Sequence, residues 1–296
     1  MADDGHLLVR HRRPTPAGDY EATLAQVVDL VTVLEAAHGA MCRVGIGHPG
    51  AASPATGLIK NANSTCLLGH DLKTDLQSRL GREVRLANDA DCFALSETVD
   101  GAAMGASPVF GVILGTGVGG GVVVDGKLLH GPNAIAGEWG HNPLPGLTVD
   151  EQPGPACYCG RRGCIETFLS GPGLAADHLR ALPTERFPGH GPSDRSTVPP
   201  TAAQVASLAA AGDEDARASL SRYEHRLARA LASVINIIDP EVIVLGGGLS
   251  KIAGLYKNVP RLWPPFVFSD QVVTRLRPPA HGDAGGVRGA AWLWPA

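Results

Sequence analysis

Two apolar segments in the second half of the chain each run directly into a glycine-rich turn. Val109–Leu114 precedes GTGVGGG at residues 115–121, and residues 241–245 precede three glycines at 246–248. Both segments are short, apolar and bounded by turn residues, which is typical of buried strands. Since such strands alternate with helical patterns, as over Tyr20–His38, the sequence predicts an α/β fold with a nucleotide site at the glycine-rich strand ends.

Other patterns along the chain predict further helices, strands and turns of this α/β fold. Asp19 can cap the helix over Tyr20–His38, and the Asp125-Gly126 pair between two apolar runs suits a tight type I′ hairpin. The other predicted elements are strands at 6–12, 43–47 and 83–87, a long helix at 223–238, and a loop rich in proline, glycine and serine over 182–201.

Composition narrows the class of protein. Hydrophobic residues make up 44% of the 296 residues and charged residues 18%, as in a globular protein with a substantial core. A net charge of -4 gives no electrostatic reason to expect a nucleic-acid partner, and no apolar run is long enough to cross a bilayer. Because the first residues lack the apolar segment of a signal peptide, we expect a cytoplasmic protein with no nucleic-acid or membrane partner.

The GTGVGGG segment is the first candidate for binding chemistry. Glycines let backbone N–H groups approach phosphate oxygens and form an anion-binding nest, and Thr116 adds a hydroxyl donor. The segment joins two predicted strands, so a tightly packed hairpin without a ligand is an equal alternative. The second glycine turn, at residues 245–250, suits contact with an adenine ring or simply close packing of a helix on a strand.

Asn88 and Asp89 follow the predicted strand at 83–87 and precede a predicted helix. Ligands of open α/β sheets bind at the carboxyl ends of strands, where a carboxylate can accept a proton from a substrate hydroxyl. Either residue is also a good helix N-cap, and on local sequence alone the capping role is favoured.

Three of the six cysteines are crowded together behind a histidine. In a reducing compartment such a cluster indicates metal binding before a disulfide, and one histidine with three cysteines makes a closed, tetrahedral zinc site. The alternative is three reduced thiols in a loop. The candidate ligands are His141, Cys157, Cys159 and Cys164. Glu138 and Glu166 flank them, so bound zinc would orient two carboxylates suited to the vicinal hydroxyls of a sugar.

Taken in order, these motifs resemble the ROK family of sugar kinases and repressors. The resemblance rests on Asn88-Asp89, GTGVGGG at 115–121, ExGH at 138–141, CxCGxxGCxE at 157–166 and IDPEVIVLGGG at 238–248. Within the family, KNANST at 60–65, EWGHNPLP at 138–145, CYCG at 157–160 and the ending HGDAGGVRGAAWLWP are similar to the fructokinase or mannokinase branch. The N-acetylglucosamine kinases and glucokinases of the family vary at these points.

The resemblance implies a two-lobed RNase H-like fold of the actin/hexokinase-like ATPase type, with a cleft between the lobes. The sugar-binding lobe would comprise residues 1–105 together with a C-terminal helix at 286–296. The lobe that binds ATP and zinc would comprise residues 106–285. A homodimer is also implied.

The resemblance further implies a role for each motif residue. Asp89 would be the general base for the sugar hydroxyl. The sugar would be held by Asn88, Glu138, His141 and Glu166 beside Gly50, and zinc would be held by His141, Cys157, Cys159 and Cys164. The phosphates of ATP would be held by Gly115, Thr116, Gly117, Gly119, Gly120 and Gly121. The adenosine would be held by Gly247 and Gly248. The implied reaction transfers the γ-phosphoryl of ATP, with Mg²⁺ shielding the phosphates, to the 6-hydroxyl of D-fructose, with mannose or glucose as slower acceptors.

Two departures from the family pattern accompany the match. Asp91 stands where the family usually has asparagine. The DxGGT hairpin that opens the family pattern is not found, so we expect the N-terminal strand or strands of the fold to be missing, through a late start codon or a truncated paralogue. A truncated chain would be a sugar-binding protein with impaired catalysis, and another ROK hexose kinase is a further alternative. A repressor is disfavoured because its winged helix-turn-helix has no room before Tyr20.

Overall fold

A computed structural model describes residues 1–182 and 200–294 of the chain. Most of the loop predicted over 182–201 lies outside the described residues. Strands and helices alternate along the rest, which confirms the predicted α/β class. Within the described part, no helix combines the length and apolar character needed to cross a bilayer.

The larger sheet carries both glycine-rich turns. It comprises β5 (Val109–Leu114), β6 (Val118–Val124), β7 (Lys127–Leu128), β8 (Val242–Gly246) and β9 (Arg275–Arg277), in the order β7-β6-β5-β8-β9. Strand β5 pairs antiparallel with β6 and parallel with β8. The turn between β5 and β6 and the turn after β8 therefore lie at the same edge of the sheet. At the far end of β6, Asp125 and Gly126 both have positive φ, as a type I′ hairpin requires.

A smaller parallel sheet lies in the first third of the chain. Strands β1 (Val44–His48) and β4 (Val84–Asn88) pair in register, so His48 lies opposite Asn88 at their carboxyl ends. The short strands β2 and β3 form an antiparallel hairpin after β1, and they comprise Ala51–Ala52 and Ile59–Lys60. This sheet places the end of β4 beside the β2–β3 hairpin.

Six of the nine helices in the described residues begin after a residue whose side chain caps them. The helices are α1 (Tyr20–His38), α2 (Leu72–Leu80), α3 (Asp89–Val99), α4 (Ile165–Leu169), α5 (Gly171–Ala181), α6 (Ala202–Ala211), α7 (Glu214–Ile238), α8 (Gly254–Leu262) and α9 (Gly285–Ala291). Asp19 caps α1 by accepting the N–H of Ala22, as predicted. Helix α7 begins at Glu214, earlier than predicted, because Asp213 supplies a cap that accepts the N–H of Ala216.

Three predicted elements differ from the structure. Residues 6–12, predicted as a strand, are exposed and pair with no strand in the described chain, so they lack the ladder hydrogen bonds that define one. The turn after β8 leads into a short 3₁₀ helix, Gly248–Lys251, and not directly into an α-helix. Helix α9 ends at Ala291, whereas the sequence predicts a helix over 286–296, of which residues 295–296 lie outside the described part.

Separate hydrophobic clusters support the two sheets. One contains Leu24 of α1, Leu76 of α2 and Val84 of β4, and the other joins Phe110 of β5 to Leu227 of α7. Helix α3 packs on β5 and β6 and against α9, which in turn packs on β1. This arrangement agrees with the division into 1–105 with the C-terminal helix and 106–285, which remains a prediction.

Candidate functional site

Asn88 and Asp89 lie where β4 ends and α3 begins, and they have different partners. The Asn88 side chain caps α3 by accepting the N–H of Ala90 at 2.8 Å, and its amide donates to the Gly50 carbonyl at 2.9 Å. Asn88 therefore fastens the β2–β3 hairpin to the start of α3. Asp89 also accepts the N–H of Ala90, through one oxygen at 2.8 Å. Because Asn88 performs the capping, Asp89 is available for other chemistry.

Asp89 is exposed to solvent. Loss of surrounding water raises its pKa, although the N–H of Ala90 and the nearby His48 ring partly oppose this shift. His48 itself is buried, and burial lowers its pKa. The arrangement places an accessible carboxylate with increased basicity at the end of a strand, as a general base requires.

Glu138 extends the acidic group around Asp89. It directly precedes a 3₁₀ turn, Trp139–His141, and its pKa is raised by burial and by the charges of Asp89 and Glu166, while His141 and Lys60 oppose the rise. Glu138 is therefore within electrostatic range of Asp89 and of Glu166, although residues 89, 138 and 166 are far apart in sequence.

Asp91, two residues further along α3, is a further acidic side chain with a shifted pKa. Burial, followed by the charges of Glu138 and Asp89, raises the pKa of Asp91 to about 7. Its buried Oδ1 has no hydrogen-bond partner in the described part of the chain. A carboxylate is therefore energetically unfavourable at residue 91, the position at which the sequence departs from the ROK pattern.

Glu166 connects the cysteine-rich loop to the first glycine turn. Its Oε2 accepts the N–H of Val118 at 2.9 Å, directly after the turn. A Cβ added to Gly117 would lie 2.6 Å from the same oxygen, so only glycine fits there without displacing the carboxylate. Glu166 therefore positions the turn.

The four predicted zinc ligands are brought together by the fold. Their ligand atoms all lie within 4.8 Å of one another, with Cys157 Sγ 3.5 Å from His141 Nδ1 and Cys159 Sγ 3.6 Å from Cys164 Sγ. A tetrahedral ion with Zn–S bonds of about 2.3 Å holds its ligands roughly 3.5–3.8 Å apart. The donor set and its spacing therefore fit zinc.

The thiols of this cluster have unequal acidity. Hydrogen bonding from Arg161 lowers the pKa of Cys159 to about 6, whereas burial raises the pKa of Cys164 to about 12. A coordinated thiol is deprotonated whatever its pKa in the empty site, because the metal ion replaces its proton. Cys159 is thus the ligand that is most readily ionised before metal binds.

Tyr158, between two of the cysteines, belongs to the CYCG segment, but the sequence patterns assigned it no role of its own. Its side chain is 71% exposed, and its hydroxyl lies 2.9 Å from His141 Nε2, the ring nitrogen that faces away from the thiols. Burial, together with the charges of Glu166, Cys157 and Glu138, raises the pKa of Tyr158 to about 12. The ring nitrogen of His141 that does not face the thiols is therefore in contact with Tyr158.

An open pocket of about 1210 Å³ lies beside the first glycine turn. It brings Gly115 and Thr116 together with Gly248, so the two turns predicted to bind ATP meet at one surface although more than a hundred residues separate them. Helices α5, α6, α7 and α8 form the other walls, with Arg217, Glu224, Lys251 and Asn258 among the polar groups. No local motif of the sequence indicated these helical wall residues.

The later glycines of GTGVGGG are in a different environment. They lie inside β6, where a Cβ added to Gly120 would be 2.7 Å from the Phe110 ring and one added to Gly121 would be 2.7 Å from the Ala90 carbonyl. Gly119 similarly faces Ala90. The packed-hairpin alternative therefore explains Gly119–Gly120–Gly121 as close contacts with β5 and α3, and their phosphate-binding role remains a prediction.

Gly247 and Gly50 are also explained by backbone packing. Gly247 has a φ of 78°, and a Cβ there would meet the backbone of Leu114, while Gly50 has a φ of 74° and lies against the backbone of Lys60. Gly248 is different, because a Cβ added there would enter open space within the pocket. Of these three positions, Gly248 is the one whose surroundings leave room for a ligand.

Comparisons with known proteins give a consistent result. The ROK family pattern matches residues 1–296. N-acetyl-D-glucosamine kinase of Escherichia coli O127:H6 is 39% identical over 298 aligned positions, which cover 98% of this chain and 93% of that protein. The curated relative is therefore matched along nearly its whole length.

Solved structures show the same architecture. A ROK hexokinase from Thermus thermophilus is 29% identical, with a TM-score of 0.77 and coverage of 94% of this chain and 87% of that chain. A ROK family glucokinase from Streptomyces griseus, solved in complex with glucose and AMPPNP, is 24% identical, with a TM-score of 0.78 and coverage of 99% and 93%. These likenesses confirm the predicted two-lobed, hexokinase-like ATPase fold.

Proposed function

This chain belongs to the ROK family, and from that premise we propose that it is an ATP-dependent hexose kinase acting on the 6-hydroxyl of D-fructose. The observation that carries the proposal is the convergence of Asp89, Glu138 and Glu166 beside a glycine turn that opens into the large pocket. A base, two sugar-holding carboxylates and a nucleotide-sized pocket are the parts that phosphoryl transfer to a sugar needs.

Asp89 would accept the proton of the attacking hydroxyl. Its raised pKa strengthens it as a base, and its exposure leaves it within reach of a substrate. The neighbouring Asn88 holds Gly50 and the start of α3 in place, so the base sits on a rigid strand end. Asn88 retains a second amide N–H that could donate to a sugar oxygen.

The turn at residues 115–117 would receive the phosphates of ATP. The N–H of Gly115 donates to the Gly117 carbonyl at 3.0 Å, and the N–H of Val118 donates to Glu166. No hydrogen bond within the described part of the chain occupies the N–H groups of Thr116 or Gly117. These two amides and the Thr116 hydroxyl are available donors for phosphate oxygens. Bound Mg²⁺ would supply further shielding of the phosphate charge.

The opposite side of the sugar would meet the zinc-bearing loop. Glu138 and Glu166 supply acceptors for sugar hydroxyls, and zinc held by the Cys₃His set would keep the loop, and with it Glu166, in one position. The role assigned here to zinc is structural. All four ligand positions are filled by protein, which leaves no open position for catalysis at the metal.

Two hexoses are candidates for the preferred acceptor of the phosphoryl group. D-Fructose is supported by the resemblance of residues 60–65, 138–145 and 157–160 to the fructokinase branch. N-acetyl-D-glucosamine is supported by the name of the curated E. coli relative at 39% identity. We propose D-fructose because these branch-specific segments include the predicted site residues Glu138 and His141, whereas overall identity averages over the whole chain.

A coupled assay of ADP release across a panel of hexoses tests the proposal. D-Fructose should give the highest kcat/KM, with mannose and glucose slower, and the product should carry phosphate at carbon 6. A clear preference for N-acetyl-D-glucosamine would overturn the fructose assignment while leaving the kinase assignment intact. Absence of ADP release with every hexose, from protein that is folded and loaded with zinc, would overturn the kinase assignment.

A further inference from the structure

We propose that Arg226 of α7 is a positioning residue for the glycine turn at residues 115–118, and that it acts through the two helices that hold this turn. The proposal rests on the proposed function, in which the turn receives the phosphates of ATP. It follows from a continuous series of hydrogen bonds, ion pairs and ring contacts between the Arg226 guanidinium and the turn. No motif used to assign the function includes Arg226.

Helices α4 and α5 hold the glycine turn at both of its ends. Glu166 of α4 accepts the N–H of Val118 at 2.9 Å, and Gly171, the first residue of α5, donates its N–H to the Gly115 carbonyl at 2.7 Å. A Cβ added to Gly171 would lie 3.3 Å from that carbonyl oxygen, so the start of α5 lies directly against the turn. The short segment 166–171 therefore sets the separation of the two ends, and with it the direction of the backbone N–H groups between them.

The corner between α4 and α5 is attached to α7. Tyr223 of α7 is buried, and its hydroxyl donates to the carbonyl of Leu169, the last residue of α4, at 2.9 Å. Ser170, between the two helices, caps α5 by accepting the N–H of Gly173 at 3.1 Å. These bonds make the position of the corner depend on the position of α7.

Arg226 lies three residues after Tyr223, on the same side of α7, and contacts three elements with one guanidinium. Its Nη1 lies 2.8 Å from Oδ1 of Asp177 in α5, and its Nε donates to Oε1 of Glu151 at 2.8 Å. Its guanidinium carbon lies 5.1 Å from the centre of the Phe168 ring in α4. The Arg226 side chain is 7% exposed. One buried side chain thus joins α4 and α5 to the 3₁₀ turn that precedes the cysteines.

The two carboxylates that Arg226 contacts each have another arginine of α7. Arg222 Nη2 lies 2.8 Å from Asp177 Oδ2, and Arg229 donates to both oxygens of Glu151 at 2.8 Å. Arg222 and Arg229 could therefore satisfy the two carboxylates as separate pairs. What Arg226 adds is the connection between the pairs, so its loss leaves both carboxylates with a partner and releases α5 from the rest of the group.

Binding of ADP to the full chain tests this proposal, because ADP carries phosphates for the turn and its binding does not require turnover. Arg226→Met keeps an apolar chain against Phe168 and removes the bonds to both carboxylates. Calorimetric titration should show the Kd for ADP raised by about 10-fold or more, the usual effect of losing one charge-assisted hydrogen bond to a phosphate. In the coupled assay, kcat/KM for ATP should fall by at least as much, since misplaced phosphates also react slowly.

Two control variants separate positioning from stability. Arg222→Met removes an arginine that contacts Asp177 but makes no bond to Glu151, so it should bind ADP as the wild type does. Arg82→Met removes an ion pair with Glu35, 2.7 Å long and partly buried, which lies before β4 and away from α7. It should lower the melting temperature without changing the Kd for ADP. All titrations are made well below the melting temperature of every variant.

Arg226→Lys provides a second variant that keeps the buried charge. Its ammonium group lacks the planar fork that lets arginine bond two carboxylates at once, so it should also weaken ADP binding, though less than Arg226→Met. If Arg226→Met does not fold, Arg226→Lys decides the test. A merely structural arginine would lower the melting temperature in both variants and leave the Kd for ADP and the KM for ATP unchanged, which would overturn the proposal.

The outcomes also separate this proposal from the proposed function. A wild type that binds ADP but phosphorylates no hexose refutes the kinase, and the Kd of Arg226→Met then still decides the role of Arg226. A wild type that binds no ADP refutes both. A loss of ADP affinity as large in Arg222→Met as in Arg226→Met would refute the assignment to Arg226, because the connection between the two pairs would then not be what positions the turn.

Discussion

Asn88 and Asp89 are neighbours in sequence but have separate tasks in the structure. The Asn88 side chain bonds both to Ala90 and to Gly50, which uses it as a helix cap and as a link to the adjacent hairpin. Asp89 is left with a carboxylate oxygen facing the site. Its role as a base is therefore testable without loss of the cap.

Asp89→Asn should lower kcat by about 10²–10⁴, the usual contribution of a general base. KM for the sugar should change only slightly, because the amide keeps an acceptor oxygen and the cap at Asn88 is intact. Steady-state measurement of ADP release gives both parameters. Asp150→Asn, at an exposed carboxylate, is the matched control and should behave as the wild type. Near-normal turnover in Asp89→Asn would show that another group takes the proton.

Asp91 should make the folded state less stable as the pH rises. Its folded-state pKa of about 7 is above the ordinary value of 3.8, so between these pH values the folded protein binds this proton more tightly than the unfolded chain. The contribution of Asp91 to the free energy of unfolding is therefore present at low pH and is lost as the pH rises towards 7. Asp91→Asn removes the ionisation and should flatten this dependence.

The expected gain in the free energy of unfolding for Asp91→Asn is about 1–3 kcal/mol at pH 8, since one pKa unit corresponds to about 1.4 kcal/mol and the acidic cluster can relax. At pH 4 the gain should be small. Urea unfolding at both pH values measures the difference. Equal or lower stability of the variant at pH 8 would contradict the raised pKa.

At the scale of elements, the cysteine-rich loop with the predicted zinc ligands is held from two directions. Glu166 bonds to the start of β6, and Glu151, before the cysteines, bonds at 2.8 Å to both Arg226 and Arg229 of α7. These three side chains are each at most 9% exposed. Burial opposes ionisation of Glu151, but hydrogen bonds from the two arginines lower its pKa to about 2. The loop is thus fixed to the larger sheet independently of the metal.

Cys159→Ser should lose zinc and lower the melting temperature by about 10 °C, because a ligand that binds only the folded state stabilises it by several kcal/mol. The ion pairs of Glu151 remain, so the loop should loosen without global unfolding. Metal analysis and thermal melting with and without a chelator measure both effects. Cys42→Ser, at an exposed thiol outside the cluster, should change neither. Wild-type protein without stoichiometric zinc would refute the site.

At the scale of the whole molecule, two helices join the sheets. Helix α9 lies so close to α3 and β1 that a Cβ on Gly289 would overlap the Cys92 carbonyl and one on Gly45 would overlap the Ala290 carbonyl. Helix α3 in turn meets β6 at Gly121, where added atoms would overlap Ala90. Asp89, the proposed base at the start of α3, and the glycine turn before β6 are therefore placed relative to each other by backbone-to-backbone packing.

Gly289→Ala should destabilise the protein by about 2–3 kcal/mol or more, because backbone atoms cannot move aside as flexible side chains do. Gly286→Ala on the same helix is the control, since its Cβ would meet only the Asp89 carbonyl, at 3.9 Å. That variant should be neutral or slightly stabilising, because alanine has the higher helix propensity. Equilibrium urea unfolding compares the two, and equal stability would contradict the close packing of α9 on α3.

Short-range patterns in the sequence were enough to predict much of the site. The four predicted zinc ligands, the Asn88-Asp89 pair and the glycine turns follow from residue types and spacings within short segments. The structure brings the four predicted ligands together. Strands β5 and β8 and helix α1 were likewise predicted closely, because caps, turns and apolar periodicity are encoded next to the elements that they delimit.

Only the tertiary structure decided which of these residues meet and what surrounds them. The contact of Tyr158 with His141, the buried position of Asp91, and the use of Gly120 and Gly121 for packing all depend on elements that the chain brings together from afar. Local propensity carries no information on such contacts, since they are set by how the sheets and α3 pack. A glycine needed for a ligand and one needed for a neighbouring backbone look the same in sequence, and they differ only in what lies opposite the missing side chain.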